Sequence, residues 1–266
     1  MRRMIVIPAR HASTRFPAKP LAPLRGANGT VRPLVERTWR TAIGVPGIDR
    51  VIVATDDGRI ADTARGFGAE VVMTPATCRN GTERCAAVLD AVHQTPDLVI
   101  NLQGDAPLTP VAAIAALIDR IEHAPDLAVA TPAMPCTPAV LAALLGDQAA
   151  GRVGGTTVVF DAALRALYFS RRVIPYADPA MLIAAAHQVH LHMGVYACRP
   201  AALRRYALAP PSRLELLEGL EQLRFAEIGL PVGIALCAAP AWDAIECNNP
   251  ADVPRIERVL AELGID

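Results

Sequence analysis

The chain has 266 residues, 52% of them hydrophobic, and no uncharged apolar stretch approaches the roughly eighteen residues that a membrane span requires. It therefore has room for one large α/β domain, with no expected membrane partner. Lys+Arg and Asp+Glu each number 26, and this zero formal charge lacks the footprint of a nucleic-acid binder.

The opening stretch, Met1-Arg2-Arg3-Met4-Ile5-Val6-Ile7, ends its apolar run after four residues at Pro8. That run is too short for the core of a signal peptide and predicts a first strand. Six cysteines without a C-x-x-C pair or zinc spacing read as reduced thiols, which places the protein in the cytoplasm. Further strands are expected at 51–54, 71–73 and 98–102, with helical spacing near 32–43, 57–68 and 82–94 between them. This alternation predicts β-α-β units and a largely parallel sheet covered on both faces. A helix follows, with Thr109 as N-cap, Pro110 at the first helical position, and Ile114, Leu117, Ile118 and Ile121 on one face.

A strand is expected at 127–131, whereas 132–156, rich in Pro, Ala and Gly, carries no readable order. Extended segments at 156–160, 167–170 and 189–197 then break the β-α rhythm, as an insertion or an oligomerisation element would. Residues 214–228 are amphipathic, with Glu215, Glu218 and Gln222 aligned as either a solvated face or a pocket wall. The last helix opens at Asn249-Pro250 and aligns Val253, Ile256, Leu260 and Leu263. With no internal repeat and no low-complexity linker, residues 1–266 read as a single domain.

Three motifs carry chemistry. The stretch 7–21 (I-P-A-R-H-A-S-T-R-F-P-A-K-P-L) follows the first strand, where open α/β sheets place their ligand crevice. Arg10, Arg15 and Lys19, the only lysine in the chain, supply three cations to a loop whose backbone N–H groups suit an anion. The second motif, Asn101-Leu102-Gln103-Gly104-Asp105-Ala106-Pro107, ends a strand with a carboxylate that would hold Mg²⁺ beside a triphosphate. The third, Asn80-Gly81-Thr82-Glu83-Arg84, reads as a helix start with Thr82 as its cap. His190 and His192 share a strand face, without a third placed ligand for zinc. Trp39 and Trp242 read as packing residues.

These blocks resemble the bacterial CMP-KDO synthetases, which are 3-deoxy-manno-octulosonate (KDO) cytidylyltransferases. Besides the three motifs, the matching pieces are V-A-T-D at 53–56, A-L-Y-F-S-R at 166–171, H-x-G-V-Y at 192–196 and L-E-Q-L-R at 220–224, in family order. The related CMP-sialate synthetases carry a different first loop, closer to A-R-G-G-S-K. The resemblance implies a Rossmann-like nucleotidyltransferase fold, α/β with a mostly parallel central sheet flanked by helices. An inserted dimerisation segment is implied too, with residues 150–200 contributing sugar-pocket and dimer elements of a homodimer.

The resemblance also implies roles. CTP and KDO, or a related 2-keto sugar acid, would be the partners, and Mg²⁺ the cofactor. Arg10, Ser13, Arg15 and Lys19 would bind the triphosphate, with Thr82, Glu83 and Gln103 around the nucleotide. Lys19, Asp105 and Arg10 would be catalytic, and Asp105 would hold the metal. Ser170, Arg171, His192, Tyr196, Glu221 and Gln222 would line the sugar-acid pocket.

The sequence departs from the family's pattern in places. Asn248 stands where the family's G-V-D-T-P-E-D-L carries a second metal-binding Asp, so the metal set here reads Asp105 and Asn248, with Asp243 or Glu246 able to substitute. Ala106 replaces a Glu, and Thr157 replaces a usual lysine. These changes keep two alternatives open: activation of a different nonulosonate or an amino-substituted KDO, and a catalytically lapsed nucleotide or sugar-acid binding relative.

Overall fold

The computed structural model describes residues 1–12, 15–242 and 245–266, with only the backbone of Pro179. The chain forms two compact units. One comprises Met1–Ala115, Cys198–Arg204 and Pro240–Asp266; the other comprises Ala116–Ala197 and Arg205–Ala239.

The first unit opens with β1 (Arg3–Ala9), and a 3₁₀ turn at Lys19–Leu21 follows. A small hairpin of β2 (Pro23–Arg25) and β3 (Val31–Pro33) leads to α1 (Leu34–Ile43). Next come β4 (Arg50–Thr55), α2 (Gly58–Gly66), β5 (Glu70–Met73), α3 (Gly81–Ala91) and β6 (Leu98–Leu102). Strands β5, β4, β1 and β6 lie in that order, and each neighbouring pair is parallel. Helices α1, α2 and α3 pack on these strands.

Burial explains the strand choice. Met4, Ile5, Val6 and Ile7 are at most 2% exposed, and β6 is buried at every position, as parallel strands covered on both faces must be. In α1 the stripe Leu34, Val35, Thr38 and Ala42 is buried. Trp39 stacks at a tilt on Phe67, ring centroids 5.2 Å apart. The helix start after β5 differs from expectation. The Asn80 side chain, not Thr82, caps α3 by accepting from Glu83 N at 2.9 Å. Thr82 is the second residue of the helix, buried, and its hydroxyl accepts from Asn101 Nδ2 at 3.3 Å.

The helix after β6, α4 (Val111–Glu122), also starts differently from the reading. The Thr109 hydroxyl turns back to donate to the Ala106 carbonyl at 3.0 Å. Pro110 stands outside the helix, its carbonyl accepting from Ile114 N.

The second unit contains β7 (Val129–Pro135), α5 (Pro138–Ala149), β8 (Thr157–Phe160), β9 (Ala166–Ser170) and α6 (Pro179–Ala184). The extended stretch expected at 189–197 is two strands, β10 (His190–His192) and β11 (Val195–Cys198). Then come α7 (Pro200–Leu208), whose first five residues count with the first unit, and α8 (Arg213–Glu218), α9 (Leu223–Glu227) and β12 (Val232–Leu236), which complete the second. Strands β11, β7, β10, β8 and β9 are neighbours in that order, with β12 parallel to β7. The β7–β10, β10–β8 and β8–β9 pairs are antiparallel, which is the break in β-α rhythm seen in the sequence.

Returning to the first unit, a 3₁₀ turn at Pro250–Asp252 leads into α10 (Val253–Glu262). Ile256, Val259 and Leu260 of α10 join Leu24, Leu34, Leu108 and Cys247 in one apolar cluster, with Trp242 against it. The Trp242 indole donates to the Leu108 carbonyl at 3.1 Å. Among the described residues, no helix is long and apolar enough to cross a membrane.

Candidate active site

Two glycines bring the motifs of the first unit together. A Cβ on Gly104 would meet the Pro8 carbonyl at 2.7 Å, and one on Gly81 would meet the Gln103 amide at 2.8 Å and Pro8 Cγ at 3.1 Å. Neither position can carry a side chain without displacing backbone or the Gln103 amide. The ends of β1 and β6 and the start of α3 therefore close on one another around Pro8.

Asp105, just past this contact, meets the basic loop. Lys19 Nζ donates to Asp105 Oδ2 at 2.5 Å, and the two side chains are only 14% and 23% exposed. The loop reaches this geometry through Ala18, whose φ of 55° is left-handed, ahead of the 3₁₀ turn that carries Lys19. The carboxylate loop is braced from α1, where Thr38 Oγ1 donates to the Gly104 carbonyl at 3.1 Å and Thr41 Oγ1 to that of Pro107 at 2.8 Å.

A third segment completes the cluster. Cys247 N donates to the Asp105 carbonyl at 2.8 Å, tying residues 246–248 alongside the carboxylate. Asn248 Oδ1 accepts from Arg15 Nη2 at 3.2 Å. The Glu246 carboxyl belongs to the same segment. Burial first, and the Asp105 charge second, push its pKa up to about 7. Arg15, Lys19, Asp105, Glu246 and Asn248 thus stand together, two cations facing two carboxyl groups.

Gln103, Glu83 and Arg10 belong to the same unit. Gln103 Nε2 donates to Asn101 Oδ1 at 3.1 Å. Glu83 receives the Arg79 backbone N–H and Nε, each at 2.8 Å. Arg10 is exposed at the end of β1. Ser13 and Asp243 lie outside the described residues.

Of the expected sugar-acid residues, all in the second unit, Ser170 and Arg171 meet a carboxylate that the sequence reading left unassigned. Glu218 accepts from Ser170 Oγ at 2.9 Å, Tyr168 OH at 3.3 Å and Arg171 N at 3.0 Å. The Arg171 guanidinium donates to the Gly219 carbonyl at 2.8 Å. The His192 ring pairs with Thr131 Oγ1 at 2.9 Å, between Phe169 and Tyr196. Burial among these groups holds its pKa down to about 3, so the imidazole is neutral. Gln222 is 2% exposed, and its Nε2 has no hydrogen-bond partner among the described residues. The Glu221 carbonyl accepts from Tyr206 OH at 3.1 Å.

Glu218 carried one sequence signal, its place in the stripe with Glu215 and Gln222. The expected single amphipathic segment is instead two short helices broken at Gly219, whose φ is 65°. That break turns Glu218 toward Ser170 while Glu215 pairs with Arg224.

Residues 4–232 match the cytidylyltransferase family. The chain belongs to that family. A 3-deoxy-manno-octulosonate cytidylyltransferase of Maricaulis maris is 42% identical, over 98% of both chains. An 8-amino-3,8-dideoxy-manno-octulosonate cytidylyltransferase of Shewanella halifaxensis is 37% identical, over 97% of this chain and 98% of that one. Among solved structures, a CMP:2-keto-3-deoxy-manno-octonic acid synthetase complexed with CTP superposes with a TM-score of 0.84 at 31% identity, covering 99% of this chain and 100% of that one. These likenesses bear out the resemblance to CMP-KDO synthetases and the α/β nucleotidyltransferase fold read from the sequence.

Proposed function

We propose that this chain is a CMP-sugar synthetase that transfers CMP from CTP to the anomeric hydroxyl of KDO, releasing pyrophosphate. The observation that carries the reading is the pairing of Lys19 with Asp105 at 2.5 Å, beside Arg15 and Asn248. Cations and carboxylate converge at the carboxyl ends of parallel strands, where such sheets bind nucleotides. The similar structure named above is a CTP complex, and the relatives are named for KDO or its 8-amino analogue.

The reaction breaks the bond between the α-phosphorus and the bridging oxygen to the β-phosphate and forms a bond from the sugar oxygen to the α-phosphorus, the hydroxyl proton being released to water. Pyrophosphate leaves in line. Such a transfer depends on positioning and charge neutralisation rather than on a protein nucleophile. Arg10, Arg15 and Lys19 hold the polyphosphate and neutralise the charge that grows on the leaving group. Lys19 is preloaded on Asp105 and exchanges that partner for a phosphate oxygen. In the second unit, Arg171 supplies a guanidinium for the sugar carboxylate, and Ser170, His192 and Gln222 supply hydroxyl-directed donors and acceptors.

The site fits magnesium, which takes one or two carboxylates and fills its sphere with phosphate oxygens and water: the Asp105 carboxylate stands beside the cations that would receive the polyphosphate. Asp105 would hold the ion, which when bound polarises the phosphate oxygens and lowers the pKa of the attacking hydroxyl. The six free thiols support a cytoplasmic site of action. Exposed Leu167, Tyr176, Met181 and Ile183 in the middle segment support a homodimer through that region.

Pyrophosphate release from CTP, KDO and Mg²⁺ tests the reading. Asp105→Asn is expected to lower turnover about 10²–10³-fold; undiminished turnover would remove Asp105 from the chemistry. The Shewanella relative favours one second reading, the 8-amino sugar. Comparing kcat/KM for the two acids decides between them.

A further inference from the structure

We infer that Glu218 is the positioning residue of the sugar-acid site: it fixes the end of β9 so that Arg171 meets the sugar carboxylate, while Gly219 steers the guanidinium. The inference rests on the cytidylyl-transfer reading, which makes a sugar acid the acceptor.

The geometry starts at the end of β9. Tyr168 and Ser170 stand two residues apart on one strand and so share a face. Both hydroxyls donate to Glu218 Oε1, at 3.3 and 2.9 Å. Arg171 lies just past the strand, and its backbone N–H donates to Glu218 Oε2 at 3.0 Å. A carboxylate offers only acceptors, and both oxygens of this one are occupied by the chain's own donors. Ser170 is 3% exposed, and its Oγ also accepts from Arg172 N at 3.0 Å. Its hydroxyl proton is committed to Glu218, which leaves one serine lone pair for a substrate hydroxyl.

The next residue holds the other end of Arg171. Glu218 closes α8, and Gly219 is the left-handed cap that follows, with a φ of 65°. The Gly219 carbonyl accepts from Arg171 Nη2 at 2.8 Å; a Cβ on Gly219 would meet that nitrogen at 2.8 Å and Arg171 Cζ at 3.0 Å. The guanidinium therefore packs against a residue with no room for a side chain. One two-residue corner thus grips Arg171 by its backbone and by its head group, and the buried Glu215–Arg224 pair anchors that corner. The Gly219 carbonyl takes one of five guanidinium donors, and the rest of the planar fork suits a carboxylate. Glu218 acts through Ser170 and Arg171.

Steady-state kinetics with KDO and calorimetric titration of CTP alone test the assignment. Glu218→Ala is expected to lower kcat/KM for KDO about 10²-fold, the cost of a misplaced binding group, chiefly through KM, with CTP affinity unchanged. Glu218→Gln should recover most of that loss, because its oxygen can face Arg171 N while its amide donates to the two hydroxyls. In an Arg171→Ala background the fold-loss from Glu218→Ala should shrink at least about twofold, as for groups in contact. Circular dichroism melting checks folding; if Glu218→Ala does not fold, Glu218→Asp, too short to span both contacts, replaces it. A folded Glu218→Ala with unchanged kcat/KM for KDO removes the positioning role and leaves cytidylyl transfer standing. Equal losses in CTP affinity and in KDO use would make Glu218 a prop of the fold, not of the site. A Glu218→Gln variant as impaired as Glu218→Ala would show that the charge itself is required and that Glu218 contacts the sugar. If the wild type releases no pyrophosphate from CTP, KDO and Mg²⁺, the transfer reading falls and takes this assignment with it.

Discussion

Ala18 holds a left-handed φ of 55° one residue ahead of Lys19. The conformation is needed for the tight turn that carries the lysine. The Ala18 carbonyl accepts from Leu21 N at 2.8 Å, and that of Lys19 from Ala22 N at 2.9 Å. A Cβ in this region costs about 1–2 kcal/mol. Glycine removes that strain but adds freedom to the unfolded chain. Ala18→Gly is expected to stabilise the protein by about 0.5–1 kcal/mol, read as a higher urea midpoint at unchanged slope; a lower midpoint would mean the turn stores no such strain. At this scale the sequence was most informative where charge types cluster. Arg15, Lys19 and Asp105 were legible because their motifs sit at strand ends. Glu246 stood only as a substitute for Asn248, since nothing in its neighbourhood announces that Cys247 binds the Asp105 backbone. The α3 cap was misassigned because Asn80 and Thr82 are both good caps, and only the burial of Thr82 beneath Asn101 separates them.

Helices α8 and α9 turn about Gly219, and a buried ion pair links them. Arg224 is fully buried; its Nε and Nη2 meet the two Glu215 oxygens at 2.6 and 2.5 Å, and its guanidinium lies 4.1 Å from the centre of the Tyr206 ring. Glu215 also closes the capping box of α8 with Ser212. Removing it strands a buried guanidinium. Glu215→Ala is therefore expected to destabilise the protein by about 3–5 kcal/mol. Amide exchange should accelerate first in 213–227, and unchanged protection there would show that the pair is not what holds the turn. The parallel strands were readable element by element because each is a short, fully buried apolar run. Helix α5 was not, because it is rich in Ala and buries only Leu141 and Leu144, too sparse a stripe to set a period. The break at Gly219 was equally hidden, since an amphipathic spacing continues through it.

Across the whole molecule, 26 basic residues include a single lysine, and that lysine is paired with Asp105. One side-chain amine in the entire chain is thus a built-in reporter of the polyphosphate site. A lysine nitrogen engaged by a carboxylate at 2.5 Å and only 14% exposed offers a reagent little access. Lys19 should therefore react slowly with an amine-directed acylating reagent. Asp105→Asn weakens the contact that pins the Lys19 side chain and should raise the rate at Lys19 severalfold. Adding CTP and Mg²⁺ to the wild type should keep Lys19 protected, now by phosphate oxygens in place of the carboxylate. Peptide mapping by mass spectrometry reads the site directly, free of any contribution from other lysines. If CTP leaves the acylation rate of Asp105→Asn unaltered at concentrations that saturate binding, Lys19 does not touch the nucleotide. The charge-neutralising role given to it then passes to Arg10 and Arg15.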